Sequence, residues 1–355
     1  MKFRLGELFC GPGGLAIGAT QSSIVNKETN EIYSIKHQWA SDYHSETCQT
    51  YERNIQGGQV FCADVQDLIK DDISMSVLDD IDAFAYGFPC NDFSIVGETK
   101  GFNGQYGGLY SYGVKVIDKF KPKFFLAENV GGLSSANEGK AFKQILHDLE
   151  NSGNGYDITV HKYHFEDYGI PQTRHRIIIV GIQRELNLKY QIPAPTTKGN
   201  PVSAKEAFEK FPITDDAYNN ERTNQSATVI ERLKHIKPGQ NIWQTDLPKH
   251  LQLNVKGAKL SQIYRRLHPD KPCYTITGSG GGGTHGYHYE EPRALTNRER
   301  ARIQTFPDDF EFIGKKESVR RQIGMAVSPV MSKILFESIL KTFAGIDYSS
   351  IEPNL

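Results

Sequence analysis

The sequence predicts an α/β protein: a mostly parallel sheet covered by helices on both faces, joined to a smaller irregular region. Three observations carry this. Short apolar stretches alternate with helical periodicity through the first half of the chain. A glycine-rich turn, Cys10-Gly11-Pro12-Gly13-Gly14, follows directly on the first of them, where a parallel sheet presents its ligand-binding edge. After Ile182 the rhythm breaks, and Pro, Gly, Asn, Lys and isolated aromatics run without a sustained period to about Pro272.

Strands are expected at 3–9, 35–41, 59–62, 81–86, 124–128, 157–165 and 176–182. Between them, a helix over 140–150 gathers Phe142, Ile145, Leu146 and Leu149 on one side. Past the irregular stretch come a glycine run (Gly278, Gly280, Gly281, Gly282 and Gly283 around Ser279), a helix over 296–304 and a last amphipathic helix over 329–343. The expected division is a large domain at 1–182, an irregular insert at 183–292, a connecting segment at 293–321, and a C-terminal helix at 322–355 that returns to the large domain.

The chain has 355 residues, enough to bury a sizeable core. No signal-peptide pattern opens it and no apolar run approaches bilayer length, so a cytoplasmic protein without a membrane partner is expected. The five cysteines (Cys10, Cys48, Cys62, Cys90 and Cys273) show neither disulfide nor zinc-ligand spacing, so no metal is expected. Net charge is −1 overall, but 182–321 carries 23 Lys/Arg against 16 Asp/Glu. Most of that surplus lies at 232–271, where nine basic residues face only Asp246 and Asp270. A phosphate-contacting segment has this form, and so does a solvated basic face.

The residues that carry chemistry follow the strand ends. Gly11 and Gly13 permit close backbone approach to a ligand, although with Ala16 they also fit a dinucleotide fingerprint. Asp42 and Asp64 end the next two strands; a ribose diol or an amino group suits such carboxylates, and so does capping of the following helix. The fourth strand runs into Tyr86-Gly87-Phe88-Pro89-Cys90-Asn91, placing Cys90 at the sheet's carboxyl edge. A thiol there needs a positive or hydrogen-bonding setting to act as nucleophile. Gly97, Gly101, Gly104, Gly107 and Gly108 follow, suited to a lid. Glu128 ends the fifth strand at the same edge as a candidate general acid. Arg174 and Arg176, on one face of an extended segment, form a candidate cationic pair.

Taken in order, these segments resemble the DNA cytosine-5 methyltransferase family of bacterial and phage modification enzymes. The resemblance covers Phe9-x-Gly11-x-Gly13-Gly14, Gly87-Phe88-Pro89-Cys90, Glu128-Asn129-Val130, Gln172-x-Arg174-x-Arg176, the block from Arg293 to Pro307, and Gln322-Ile323-Gly324-Met325-Ala326-Val327-Ser328-Pro329. It implies a Rossmann-like methyltransferase fold using S-adenosylmethionine, with S-adenosylhomocysteine as product. It also implies duplex DNA as substrate, base flipping, a monomeric enzyme, and a cognate restriction endonuclease as functional partner. Cys90 would add to C6 of cytosine, Glu128 would bond to N3, Arg176 would meet O2, and Arg174 the local phosphate. Phe9, Gly11, Gly13, Gly14, Leu15, Asp42, Asp64, Val65, Pro89, Leu109, Ala326 and Val327 would line the cofactor site. The large domain would hold catalysis and cofactor, and the insert at 183–292 would be the target-recognition domain.

Two departures stand out: Asn91 replaces a usual glutamine and Met325 a usual asparagine. Three other readings stay open at this point. An RNA cytosine methyltransferase would usually have a short insert and a Cys-Phe-Thr block not found here. A catalytically silent DNA-binding relative would fit Asn91 and Met325. A dinucleotide oxidoreductase would leave Cys90, Glu128 and the arginines idle.

Overall fold

The structure, a computed structural model, describes residues 1–88, 108–133, 139–254, 260–279 and 281–355. Its first elements are β1 (Lys2–Leu8), α1 (Gly14–Thr20), β2 (Ser23–Val25), β3 (Ile32–Asp42), α2 (Ser45–Asn54), β4 (Gln59–Cys62), α3 (Val65–Leu68) and β5 (Ala83–Tyr86). Next come α4 (Tyr110–Phe120), β6 (Phe124–Val130), α5 (Lys140–Asn151), β7 (Tyr156–His164), β8 (Gln172–Thr173), β9 (His175–Gln183) and β10 (Ile192–Pro193). The remainder holds α6 (Ala204–Glu209), α7 (Ala227–His235), β11 (Cys273–Tyr274), α8 (Asn297–Ile303), α9 (Lys316–Met325), α10 (Pro329–Ala344) and β12 (Ser350–Ile351). Two compact units emerge. The first comprises Met1–His164, His175–Pro195 and Pro329–Leu355, and the second Phe165–Arg174 and Thr196–Ser328.

The first unit is built on one sheet, ordered β2-β3-β1-β5-β6-β9-β7, with β4 paired to β3. The pairs β1/β3, β1/β5, β3/β4 and β5/β6 are parallel. The expected parallel arrangement therefore holds around the glycine loop, but the sheet as a whole is mixed. β2 runs antiparallel to β3, and β9 lies between β6 and β7, antiparallel to both. Antiparallel neighbours need no helical crossover, and only residues 165–174 separate β7 from β9. As a result, the start of β9 lies at the edge where the parallel strands end.

Helices cover both faces, which is why β5 reads as an unbroken apolar run with all four residues buried. Neighbouring residues on a strand face opposite sides. Phe125 joins the cluster of Val116 and Ile117 from α4 with Ile145 and Leu149 from α5, whereas Phe124 meets the rings of Phe336 and Phe343 on α10. α10 approaches α1 so closely that a Cβ at Gly18 would lie 2.4 Å from the Lys333 nitrogen. Ser332 Oγ donates to Leu15 O at 2.6 Å across the same contact. The stretch Lys316–Ala344 is apolar and long enough on composition to cross a membrane, yet 72% of its apolar window is buried inside the protein.

The second unit has little regular structure. Its apolar centre comprises Leu233, Ile236, Ile242, Leu247, Leu251, Tyr264, Tyr287 and Ala294. Irregular backbone leaves carbonyls without ladder partners, and buried carbonyls need donors. Arginine supplies them. Arg266 donates to the carbonyls of Leu233, Ile236, His288 and Tyr289, and Arg298 to those of Tyr218, Pro307 and Phe310. Part of the basic surplus thus lies inside, holding loops together. α8 begins with the capping box of Thr296 and Glu299, where a helix was expected from 296.

Candidate active site

The glycine loop leaves β1 through a left-handed residue. Phe9 has φ 53°, a conformation that costs a side chain about 1–3 kcal/mol. Gly11 (φ 55°) and Gly13 (φ 100°) share that region, where glycine is at ease. At Gly13 a Cβ would crowd Ile55 and Tyr51, whereas above Gly11 the space a Cβ would fill is open. The loop is tied to the end of β3, because Gly11 N–H donates to Asp42 Oδ2 at 3.1 Å and His44 N–H to Oδ1 at 3.0 Å. Burial raises the Asp42 pKa, and these backbone donors oppose the shift. Each carboxylate oxygen keeps a lone pair for a further donor such as a ribose hydroxyl.

Asp64 is exposed and accepts from Gln66 N–H at 2.8 Å, so it caps α3. The capping alternative is therefore realised, and its second oxygen remains for a ligand's amino group. Val65 and Leu15 are buried, Gly14 opens α1, and Leu109 packs on the core beneath α4. An open glycine cradle, a strand-end diol acceptor and an apolar floor fit a nucleoside-type cofactor such as S-adenosylmethionine.

Sequence reasoning passed over two neighbours. Tyr43, next to Asp42, is 62% exposed and offers a flat aromatic surface beside the strand end. A large exposed aromatic directly after a strand-end acid was the available signal. Glu7 is buried under the loop, accepting from Tyr51 OH at 3.3 Å, and the same hydroxyl lies 2.9 Å from His37 Nδ1. Burial pushes the Glu7 carboxyl up to about 8 and the His37 imidazole down to about 4. No periodicity distinguishes such a glutamate from an ordinary strand residue.

The edge that carries Glu128 and Arg176 is assembled by register. Tyr86 pairs with Ala127, so Glu128 lies one residue beyond the end of β5. Glu128 pairs with Ile178 and Val130 with Arg176, making Glu128 and Arg176 diagonal neighbours on one face. Arg176 Nε meets Glu128 Oε1 at 2.8 Å, with side chains only 14% and 12% exposed. Burial lowers the Arg176 pKa, and Glu128 counteracts that. Glu128 Oε2 faces the turn after β5, where a Cβ on Gly87 would lie 3.2 Å from it. The buried Asn129 amide donates to Phe88 O at 3.1 Å, and its own Oδ1 accepts from Val130 N–H at 2.8 Å. The chain entering the Pro-Cys segment is thereby fastened to the strand that carries Glu128. Pro89, Cys90 and Asn91, the glycines from Gly97 to Gly107, and Gly280 lie outside the described residues.

Arg174, which the resemblance sets at the local phosphate, is held inside. It belongs to the second unit, is 1% exposed, and donates to the carbonyls of Ile276, Gly324 and Ala326, each at 3.1 Å. These bonds brace loops of that unit. Ala326 and Val327 are buried in the same unit, and Met325 is 55% exposed at the end of α9. Cys10, Cys48 and Cys273 are buried as expected for inert thiols, whereas Cys62 is exposed.

The profile of C-5 cytosine-specific DNA methylases matches residues 3–341. Among curated proteins, the chain is 57% identical to the type II methyltransferase M.BbvI of Brevibacillus brevis, over 99% of this chain and 94% of that one. It is 40% identical to the type II methyltransferase M.NgoFVII of Neisseria gonorrhoeae, over 99% and 90%. Among solved structures, a prophage-encoded protein of E. coli described as a DNA modification methyltransferase superposes with TM-score 0.72 at 22% identity, covering 96% of this chain and 99% of that one.

Proposed function

The chain belongs to the C-5 cytosine-specific DNA methylases, and from that premise we propose a covalent route in which Cys90 is the nucleophile and Glu128 its partner acid. The enzyme is a DNA cytosine-5 methyltransferase. Its target carbon lies inside the base stack of a duplex, so the cytosine must leave the stack, at a cost of a few kcal/mol. The Cys90 sulfur then bonds to C6 while Glu128 hydrogen-bonds N3, and electron density moves to C5. S-adenosylmethionine, when bound, supplies the electrophilic methyl group. Loss of the C5 proton and departure of the sulfur from C6 restore the aromatic ring and the free thiol.

Within this reading Arg176 is a positioning residue for Glu128, and its remaining donors suit the cytosine O2. Phe9, Gly11, Gly13, Gly14 and Leu15 would hold the amino-acid part of the cofactor, Asp42 its ribose, and Asp64 with Val65 its adenine. Tyr43 offers that adenine a stacking surface. Pro89, Leu109, Ala326 and Val327 would complete the site. The insert at 183–292 would read the DNA sequence. Reassigning Arg174 as a brace is this reading's one change from the roles the resemblance implies. The setting is that of a restriction-modification system, with the cytoplasm as compartment and a cognate endonuclease as functional partner.

The observation that carries the proposal is the hydrogen bond from Asn129, next to Glu128 on β6, to Phe88 O, the carbonyl of the last residue before Pro89-Cys90. That tie supports a reading in which nucleophile and acid act on one ring. Labelled methyl transfer tests it: duplex DNA should accept the label and transfer RNA should not. Cys90→Ser should abolish transfer, and retained transfer would overturn the route.

A further inference from the structure

The second unit holds an open cleft that the methyl-transfer reading does not use. Its lining includes Gln262, Thr277, His285, Arg300 and Arg320, all from that unit. Two of these are cations. Arg300, on α8, is 4% exposed and donates to the carbonyls of Leu295 and His285. Arg320, on α9, points Nη1 at His285 Nδ1, 3.1 Å away. His285 therefore meets one guanidinium with its carbonyl and the other with its ring. Burial together with both arginines pushes the imidazole down to about 4, so it stands as a neutral acceptor.

Among the described residues, no carboxylate lines the cleft. Glu317, which His285 senses, is exposed on α9. Glu299, which Arg300 senses, is already held by Arg293 at 2.7 Å. Burial, and after it the neighbouring Arg320 charge, bring the Arg300 guanidinium down to about 10. Arg320 Nε, meanwhile, is buried with no hydrogen-bond partner among the described residues, and a buried donor left in that state is costly. The hydroxyl of Thr277 already gives its proton to Ser279 O, and Arg320 and the Gln262 amide are among the side-chain donors that line the cleft. A neutral base edge could satisfy a donor but could not offset two cations. An oxyanion does both.

We propose that Arg320, backed by Arg300, seats one phosphate of the DNA backbone in this cleft. The assignment rests on the methyltransferase reading for its ligand and adds to it a contact that fixes register without reading sequence. These arginines lie outside the basic run at 232–271, and no motif of the sequence marks them for this role.

The test compares wild type, Arg320→Gln and Arg320→Lys, each first checked for an unchanged thermal midpoint. DNA affinity is measured across a salt series on two probes: a duplex of arbitrary sequence and a duplex carrying the methylated site, mapped by bisulfite sequencing. Arg320→Gln should weaken both duplexes by the same factor and flatten the salt dependence by about one counterion. The loss should appear in KM for DNA, and Arg320→Lys should restore the slope. An unaltered slope in Arg320→Gln overturns the proposal, and so does a loss confined to the recognised duplex, which would mean base reading. Inorganic phosphate at constant ionic strength should not compete beyond chloride. If it raises the wild-type melting temperature while the DNA slope ignores Arg320, the cleft takes free phosphate and the DNA assignment is wrong. A protein that methylates DNA yet fails these arms refutes this site alone, whereas failure to methylate DNA refutes the reading beneath it.

Discussion

Replacing Arg174 by methionine separates a brace from a phosphate contact. The side chain keeps its length and apolar stem but loses the guanidinium, which donates to Ile276 O, Gly324 O and Ala326 O. Ala326 O retains a second donor, Gln304 Nε2, at 2.9 Å. Two buried carbonyls thus lose this donor, at roughly 1–3 kcal/mol each. Relief from burying a cation offsets part of this, leaving a net loss of roughly 2–5 kcal/mol. For a unit of this size that corresponds to a melting point lower by roughly 5–15 °C. Calorimetry gives the stability, and DNA titration at two salt concentrations, below the variant's melting point, gives the contact. A wild-type melting point together with a shallower salt dependence of DNA binding would refute the brace and restore Arg174 to the phosphate.

Other consequences follow from particular contacts. Asn129→Ala removes the donor to Phe88 O and should lower kcat roughly tenfold to a hundredfold through misplacement of the following segment. The melting point should fall as well, since Phe88 O and Val130 N–H lose a buried partner, while KM for DNA should move little; a raised KM at unchanged kcat would contradict a positioning role. Gly18→Ala forces α10 away from α1, since the new Cβ would lie 2.4 Å from the Lys333 nitrogen. Denaturant unfolding should show a loss of roughly 1–3 kcal/mol or more. Glu7 makes stability fall with rising pH: its folded value of about 8 exceeds its ordinary 4.5, so its contribution is complete below 4.5 and is lost as pH rises through 8. Melting curves across that window should show the decline in wild type and a flatter profile in Glu7→Gln. Equal profiles would show that Glu7 does not hold its proton on folding.

Much of the fold was legible because strand and helix periodicity is a local property. Strand expectations at 59–62 and 124–128 meet β4 and β6, and the helix expected over 329–343 is α10. The direction of β9 was not legible, since an apolar strand such as Arg176-Ile177-Ile178-Ile179-Val180 reads the same in either orientation. That orientation places Arg176 beside Glu128, a pairing that spacing could not fix. Side-chain alternation puts Arg174 and Arg176 on one face of an extended segment, yet Arg174 ends the first segment of the second unit and His175 opens the β9 part of the first. The carbonyls that hold Arg174 lie more than a hundred residues away along the chain and leave no local trace. Charge counting likewise marked Arg266 as part of a basic surface, whereas irregular backbone draws it inside.

The account stands on a sulfur–carbon bond between Cys90 and its target base, and trapping that bond tests it most directly. In duplex DNA carrying 5-fluorocytosine, the fluorine at C5 cannot depart as a proton does, so the adduct persists after methyl transfer. With S-adenosylmethionine present, a denaturation-stable protein–DNA complex should form, peptide mass mapping should place the link on Cys90, and Cys90→Ser should form none. Methylated DNA with no such complex, or a link mapped to another cysteine such as the exposed Cys62, would contradict the account.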